Sequence, residues 1–260
     1  MKRGCFSQEA VSSFFQIGIK IRYREYERTD MKKHLSLLFV LILLSGCATP
    51  PVKPPPETLK AMRNIAVVPM EPPPLDMSPL IPMDARSVED MLRRERWIPT
   101  VVLAQEAGNQ IDSSGLYKAI VADTVYEYPG LRDREPTWHL QNWQKPMRHW
   151  YEQEVSPFDY STFKDQNIDA VVEVSLMYYG IDYALVTGGS LRMVVQIKLV
   201  DAANGKVLGR AAERLAAVST GPLDKFFANN GEGFKKLFNA MAGKIIRKEL
   251  QYLTMLPGSG

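Results

Sequence analysis

The chain has 260 residues, with 32 Lys and Arg against 29 Asp and Glu, a formal charge of +3 at pH 7. The basic excess sits in residues 1–46, which carry eight basic and four acidic side chains, so the remainder holds 24 against 25 and a net charge of −1. That balance excludes a global electrostatic case for a nucleic-acid partner, and having only Cys5 and Cys47 excludes a disulfide framework in the rest of the chain.

Met31 opens a segment laid out as a secretory signal. Lys32 and Lys33 give a positive start, Leu35 to Leu44 an apolar core, and Ser45 and Gly46 the small residues before Cys47. It is too short to cross a hydrocarbon layer of roughly 30 Å as a mature helix. Leu44-Ser45-Gly46-Cys47 resembles the bacterial lipobox. That resemblance implies cleavage between Gly46 and Cys47, acylation of the Cys47 thiol and anchoring in membrane lipid. Translation is expected to begin at Met31, with residues 1–30 an over-extended start and 31–46 the signal. By resemblance to known lipoproteins, Ala48 after the cysteine implies the outer membrane, with the domain on its periplasmic face.

Residues 47–58 form a tether. Pro50, Pro51, Pro54, Pro55 and Pro56 favour extended polyproline II, which rises about 3.1 Å per residue and would hold the domain on the order of 30 Å from the lipid. Residues 59–255 are expected to form one domain with no thiol, held by its core alone.

Within it, Arg63 to Met70 is a short β-branched run ended by proline and reads as a buried strand. The Pro-rich stretch from Glu71 to Met83, with Pro73 and Leu75, excludes regular helix and interior strand. It is either a surface crossover or a partner-contacting loop. Ser87 or Asp84 caps a short helix, and Pro99 starts a second that stops near Gly115. Tyr117 to Asp123 is a strand. In the next strand Ala170, Val172, Val174 and Leu176 share one face, opposite Val171, Glu173, Ser175 and Met177. In the one after it Leu191, Met193, Val195, Ile197 and Leu199 point inward, with Arg192, Gln196 and Lys198 outward. Such alternation predicts an antiparallel arrangement covered on one face. Gly188-Gly189 marks the connection, and Asn204-Gly205 supplies the positive φ of a hairpin turn leading to a strand from Lys206 to Val218. Phe234, Leu237, Phe238, Met241 and Ile245 form a helical stripe that packs on the covered face. Lys235, Lys236, Lys244, Arg247 and Lys248 lie mainly off it, as a solvated face or one that meets anionic lipid or polysaccharide. The fold class is therefore α/β (α+β): a mixed, largely antiparallel sheet covered by helices, with an insertion at about 124–165.

That insertion holds Trp138, Trp143 and Trp150, with Tyr128, Tyr151, Tyr160 and Phe163 nearby. Large rigid rings with a polar edge suit core packing, a partner interface or stacking on sugars. The candidate partner-binding residues are Trp138, Trp143, Trp150, Tyr151, Pro73 and Leu75. No catalytic, metal or cofactor site is expected. His139 and His149 lack the spacing of zinc ligands, no Gly-x-Ser-x-Gly occurs, and Glu173 reads as the solvent side of its strand.

The order of these elements resembles periplasmic lipoproteins that share the curli-secretion-lipoprotein core. This group includes an exopolysaccharide-export lipoprotein and activators of penicillin-binding proteins. The residues that carry the resemblance are Ser114, Gly115, Leu116, Tyr117, Ile120 and Val121 at the end of a helix, and Val200, Asp201, Gly205, Lys206, Val207 and Leu208 in a hairpin. It implies a non-enzymatic accessory or assembly factor for secretion, polysaccharide export or wall synthesis, with an envelope protein partner and a possible homo-oligomer. The alternatives are a carboxylate-dependent glycan hydrolase and a structural ring subunit. The Trp-rich insertion departs from the group's pattern, and the absence of paired amphipathic pore hairpins disfavours a channel.

Overall fold

A computed structural model describes residues 51–78, 81, 84–128, 150–164, 166–184, 188–218 and 223–257. Strand β1 (Asn64–Pro69) is buried from Ile65 onward, as its run of β-branched residues requires. It pairs in parallel with β3 (Lys118–Val121) on one side and β4 (Ala170–Ala184) on the other, Val67 lying opposite Val121 and Val172. From β4 onward the sheet is antiparallel, through β5 (Gly188–Asp201) to β6 (Val207–Val218). The order is β3-β1-β4-β5-β6, and the two-residue β2 (Asp76–Met77) runs beside the far half of β4. Among its described residues, the Pro-rich stretch thus contributes a strand only within Leu75–Ser78, its longest run free of proline.

Helices α2 (Ala85–Arg94), α3 (Pro99–Ser113) and α5 (Leu223–Tyr252) cover one face, and the one-turn α4 (Ser161–Lys164) lies on the other. The Asp84 carboxylate accepts from the Ser87 N–H at 2.8 Å and so caps α2; Pro99 stands in the first turn of α3, where a missing donor costs nothing. All five expected β5 residues, Leu191 to Leu199, are fully buried here against Phe234, Phe238, Met241 and Ile245 of α5. Each such side chain contributes roughly 1.5–3 kcal/mol. Helix α5 is broken at residues 228–231, where Asn229, Asn230 and Gly231 take φ of 52°, 57° and 75°. Asn and Gly tolerate this left-handed backbone best, and the Asn230 amide donates to Glu95 Oε1 at 2.8 Å. Beyond the break, Phe234 and Phe238 stand edge-on to Trp97.

Three expectations change. The sheet is not covered on one face only: Tyr128, Trp150, Tyr151, Tyr160 and Phe163 form a second core on the opposite face, over Ala66, Val68, Met70, Val171 and Val200. In the β5–β6 hairpin Gly205 alone takes positive φ (71°); Asn204 instead accepts from the Lys206 N–H with its side-chain oxygen and donates to Asp201. The proline tether is also not free along its length, because helix α1 (Pro56–Ala61) begins inside it.

Candidate functional site

The second face carries a polar arrangement that the strand pattern assigns to solvent. Glu173 of β4 and Lys198 of β5 lie directly opposite each other in register, and both side chains are fully buried. Charges removed from water must be paired to be tolerated, and every partner here comes from the insertion or the sheet. Glu173 Oε1 accepts from the Ser156 hydroxyl and, at 2.7 Å, from the Tyr160 hydroxyl. Glu173 Oε2 faces Lys198 Nζ at 3.6 Å. Lys198 Nζ donates to the Trp150 carbonyl at 2.7 Å and lies 4.4 Å from the centre of its ring, a desolvated cation–π contact. Burial pushes the Lys198 pKa below the ordinary lysine value, against the Glu173 charge that raises it. Burial and then the Glu173 charge push the Tyr160 hydroxyl far above the ordinary tyrosine range. Next to the pair, Tyr128 and Ser175 share a hydrogen bond of 2.6 Å. This cluster fastens residues 150–163 to the sheet: Glu173 and Lys198 are built into the strands, and their partners Trp150, Ser156 and Tyr160 are not.

A second arrangement lies along the outer edge of β6. Val52 and Arg210 exchange two main-chain hydrogen bonds of 2.8 Å each, so the tether adds one bridge to the sheet. Pro54 is buried, and a Cβ on Gly209 would stand 2.7 Å from Pro54 Cδ and 3.1 Å from Leu253 Cδ2. Here glycine is required by close approach, not by backbone angle. Lys53 Nζ lies 5.1 Å over the Tyr252 ring. The Arg210 guanidinium turns back to donate to the carbonyls of Tyr151 and Glu152, which ties the tether, the edge strand and the insertion together. Beneath this seam Glu249 is buried with neither carboxylate oxygen in a hydrogen bond of good geometry among the described residues. Burial raises its pKa well above the ordinary carboxyl range, against the Glu213 backbone, which lowers it.

The expected partner-binding residues fall in several places. Trp150 and Tyr151 are 2% and 3% exposed, within the second core. Leu75 is 4% exposed, and its N–H donates to Glu89 Oε1 at 2.6 Å, which docks the Pro-rich stretch on α2; Pro73 is buried as well. These four side chains pack inside the domain. Trp138, Trp143, Gly46, Cys47 and both histidines of the insertion lie outside the described residues. Among the described residues no three His, Cys, Asp or Glu side chains are grouped to hold a metal, and no helix is long and apolar enough to cross a membrane. Sequence reasoning missed the Glu173–Lys198 pair: the two stand 15 and 9 residues from Gly188-Gly189, so a connection placed there does not bring them opposite each other, whereas Gly188 and Gly189 in fact belong to β5 and pair with Ala184 and Tyr183.

No family model and no curated protein matches the chain. Among solved structures it is similar to the PelC dodecamer from Paraburkholderia phytofirmans, at 16% identity and a TM-score of 0.38, over 80% of this chain and 97% of that one. It is also similar to lipoprotein GNA1162 from Neisseria meningitidis, at 17% identity and 0.31, over 69% and 98%. The LpoB C-terminal domain from Salmonella enterica gives 9% and 0.21, over 69% and 93%. At these identities and TM-scores none of them lends its role to this chain.

Proposed function

We propose that the chain is a lipid-anchored accessory or assembly factor of a cell-envelope complex that acts by protein–protein contact and performs no catalysis. The observation that carries this reading is the Leu44-Ser45-Gly46-Cys47 motif behind a well-formed signal, followed after a few residues by a domain that starts in contact at Val52. Acylation of Cys47 places such a domain at a membrane, and the resemblance to outer-membrane lipoproteins favours the periplasmic face. The most deeply buried carboxylate that sequence analysis singled out, Glu173, is engaged by Ser156, Tyr160 and Lys198 and has no exposure to a substrate. That supports a structural role for it over general acid work, which needs a carboxyl beside a cleft.

The partner is an envelope protein of a secretion, polysaccharide-export or wall-synthesis machine. Its contact surface is narrower than the six aromatic and Pro-rich residues first suggest. With Trp150, Tyr151, Pro73 and Leu75 packed inside, Trp138 and Trp143 are the anchors to test. Replacing both with alanine in the full-length acylated protein should abolish co-purification of the partner while thermal unfolding stays unchanged. Undiminished capture by a folded variant would remove this surface from the account.

A further inference from the structure

We infer that the outer edge of β6 and the adjoining flank of α5 form the face that lies on the membrane, where they contact the anionic headgroups of the bilayer. This rests on Cys47 being acylated.

The chain outside the described domain sets the distance. Pro51 is already held at the domain surface, where its carbonyl accepts from the Tyr252 hydroxyl at 3.5 Å and the next residue pairs with Arg210. Cys47 is four residues away, and four residues fully extended span no more than about 14 Å. The seam at Arg210 is therefore tied close to the lipid, at less than half the 30 Å that a free proline tether would give. No strand lies beyond β6 among the described residues, and Ala212, Arg214 and Ala216 of β6 are exposed.

The charge of this flank fits that occupant. Lys248 reaches Glu213 at 2.6 Å, and Leu253 lies against Gly209, so α5 runs alongside β6 with Lys244 one turn further on. Along this edge and flank the basic side chains are Lys53, Lys206, Arg210, Arg214, Lys244 and Lys248, against the acidic Glu152, Glu154 and Glu213. Glu249, the remaining carboxyl there, is sealed beneath them. Basic side chains at an anionic surface each strengthen binding about fivefold at moderate ionic strength. The opposite edge of the sheet, at β3, lies four strand spacings away, roughly 19 Å.

The test uses the acylated full-length product, its mass checked first, in vesicles of phosphatidylethanolamine and phosphatidylglycerol that carry a headgroup quencher. Because acylation consumes the one thiol of the mature chain, a single fluorophore can be placed by Ala216→Cys on β6 or by Lys118→Cys on β3. The expected result is several-fold stronger quenching at position 216 than at 118. This bias should fall in phosphatidylcholine vesicles, in about 1 M salt, where the Debye length is roughly 3 Å, and in a variant carrying Lys53→Glu and Arg214→Glu. Equal quenching at the two positions, or a bias indifferent to lipid charge, in protein with acylated Cys47 overturns this orientation and leaves the lipoprotein reading standing. A mass showing residue 47 unacylated overturns both.

Discussion

The two faces of the sheet are covered by opposite strategies. The helix-covered face is apolar at nearly every position: Val172, Val174 and Leu176 on β4 and Leu191 to Leu199 on β5 meet the aromatic and aliphatic stripe of α5. The other face buries aromatic rings too, but around Glu173, Lys198, Ser156, Ser175 and Gln196. The first face needs only hydrophobic side chains of about the right volume, which many sequences supply. The second holds together only when each polar group meets its particular partner, so it fixes one placement of residues 150–163 on the sheet.

Removing one charge from the second face should therefore cost as much as the largest truncation on the first, but in a way a second substitution can repair. Glu173→Ala leaves Lys198 buried beside a lost counter-ion and is expected to cost about 3–5 kcal/mol, whereas the double variant Glu173→Leu with Lys198→Met should recover most of that. Urea unfolding of the two variants measures the difference, and equal losses would mean that the pair is no unit. Phe238→Ala on the first face is expected to cost about 3–5 kcal/mol as well, with no partner substitution elsewhere able to restore it. Gly209→Ala tests the tether seam: a Cβ there collides with Pro54, at an expected cost of about 1–3 kcal/mol. Hydrogen exchange at the amides of Val52 and Arg210 should quicken together, since each donates to the other residue. The smallest effect is expected at Glu249. Its folded pKa is raised, so the native state binds a proton that the unfolded chain has released above the ordinary carboxyl value, and stability falls as pH rises through that window. Glu249→Gln should stabilise the protein at pH 7, read as a higher urea midpoint than the parent chain. The gain should vanish when both are compared below about pH 4.

The same contrast explains what the sequence made legible. Apolar alternation is a sufficient signal for a face covered by helices, so β4, β5 and the α5 stripe were readable residue by residue. Glu173, Gln196 and Lys198 follow the same period-two rule, yet their polarity argued for solvent. Only the presence of a cover from 150–163, distant in sequence, makes them interior. A bulge at Met177 adds a second limit: inward positions run Val172, Val174, Leu176 and then Tyr179, Ile181, a change of parity that alternation alone does not announce. The break in α5 did have a local signal, since Asn229-Asn230-Gly231 is a run of the residues most tolerant of left-handed backbone. The tether seam had little, because only Val52 and Lys53 carry backbone donors between Pro51 and Pro54. Of the site residues, burial was not legible at Trp150, Tyr151 and Leu75, since aromatic and apolar residues serve cores and interfaces alike.

The account depends above all on a lipid at residue 47, and the intact mass of the native product tests it most directly. A chain beginning at Cys47 and carrying acyl chains on that residue is the expected result. A free thiol at 47, or an N-terminus at any other residue, would contradict the membrane placement and with it the proposed contact with an envelope partner.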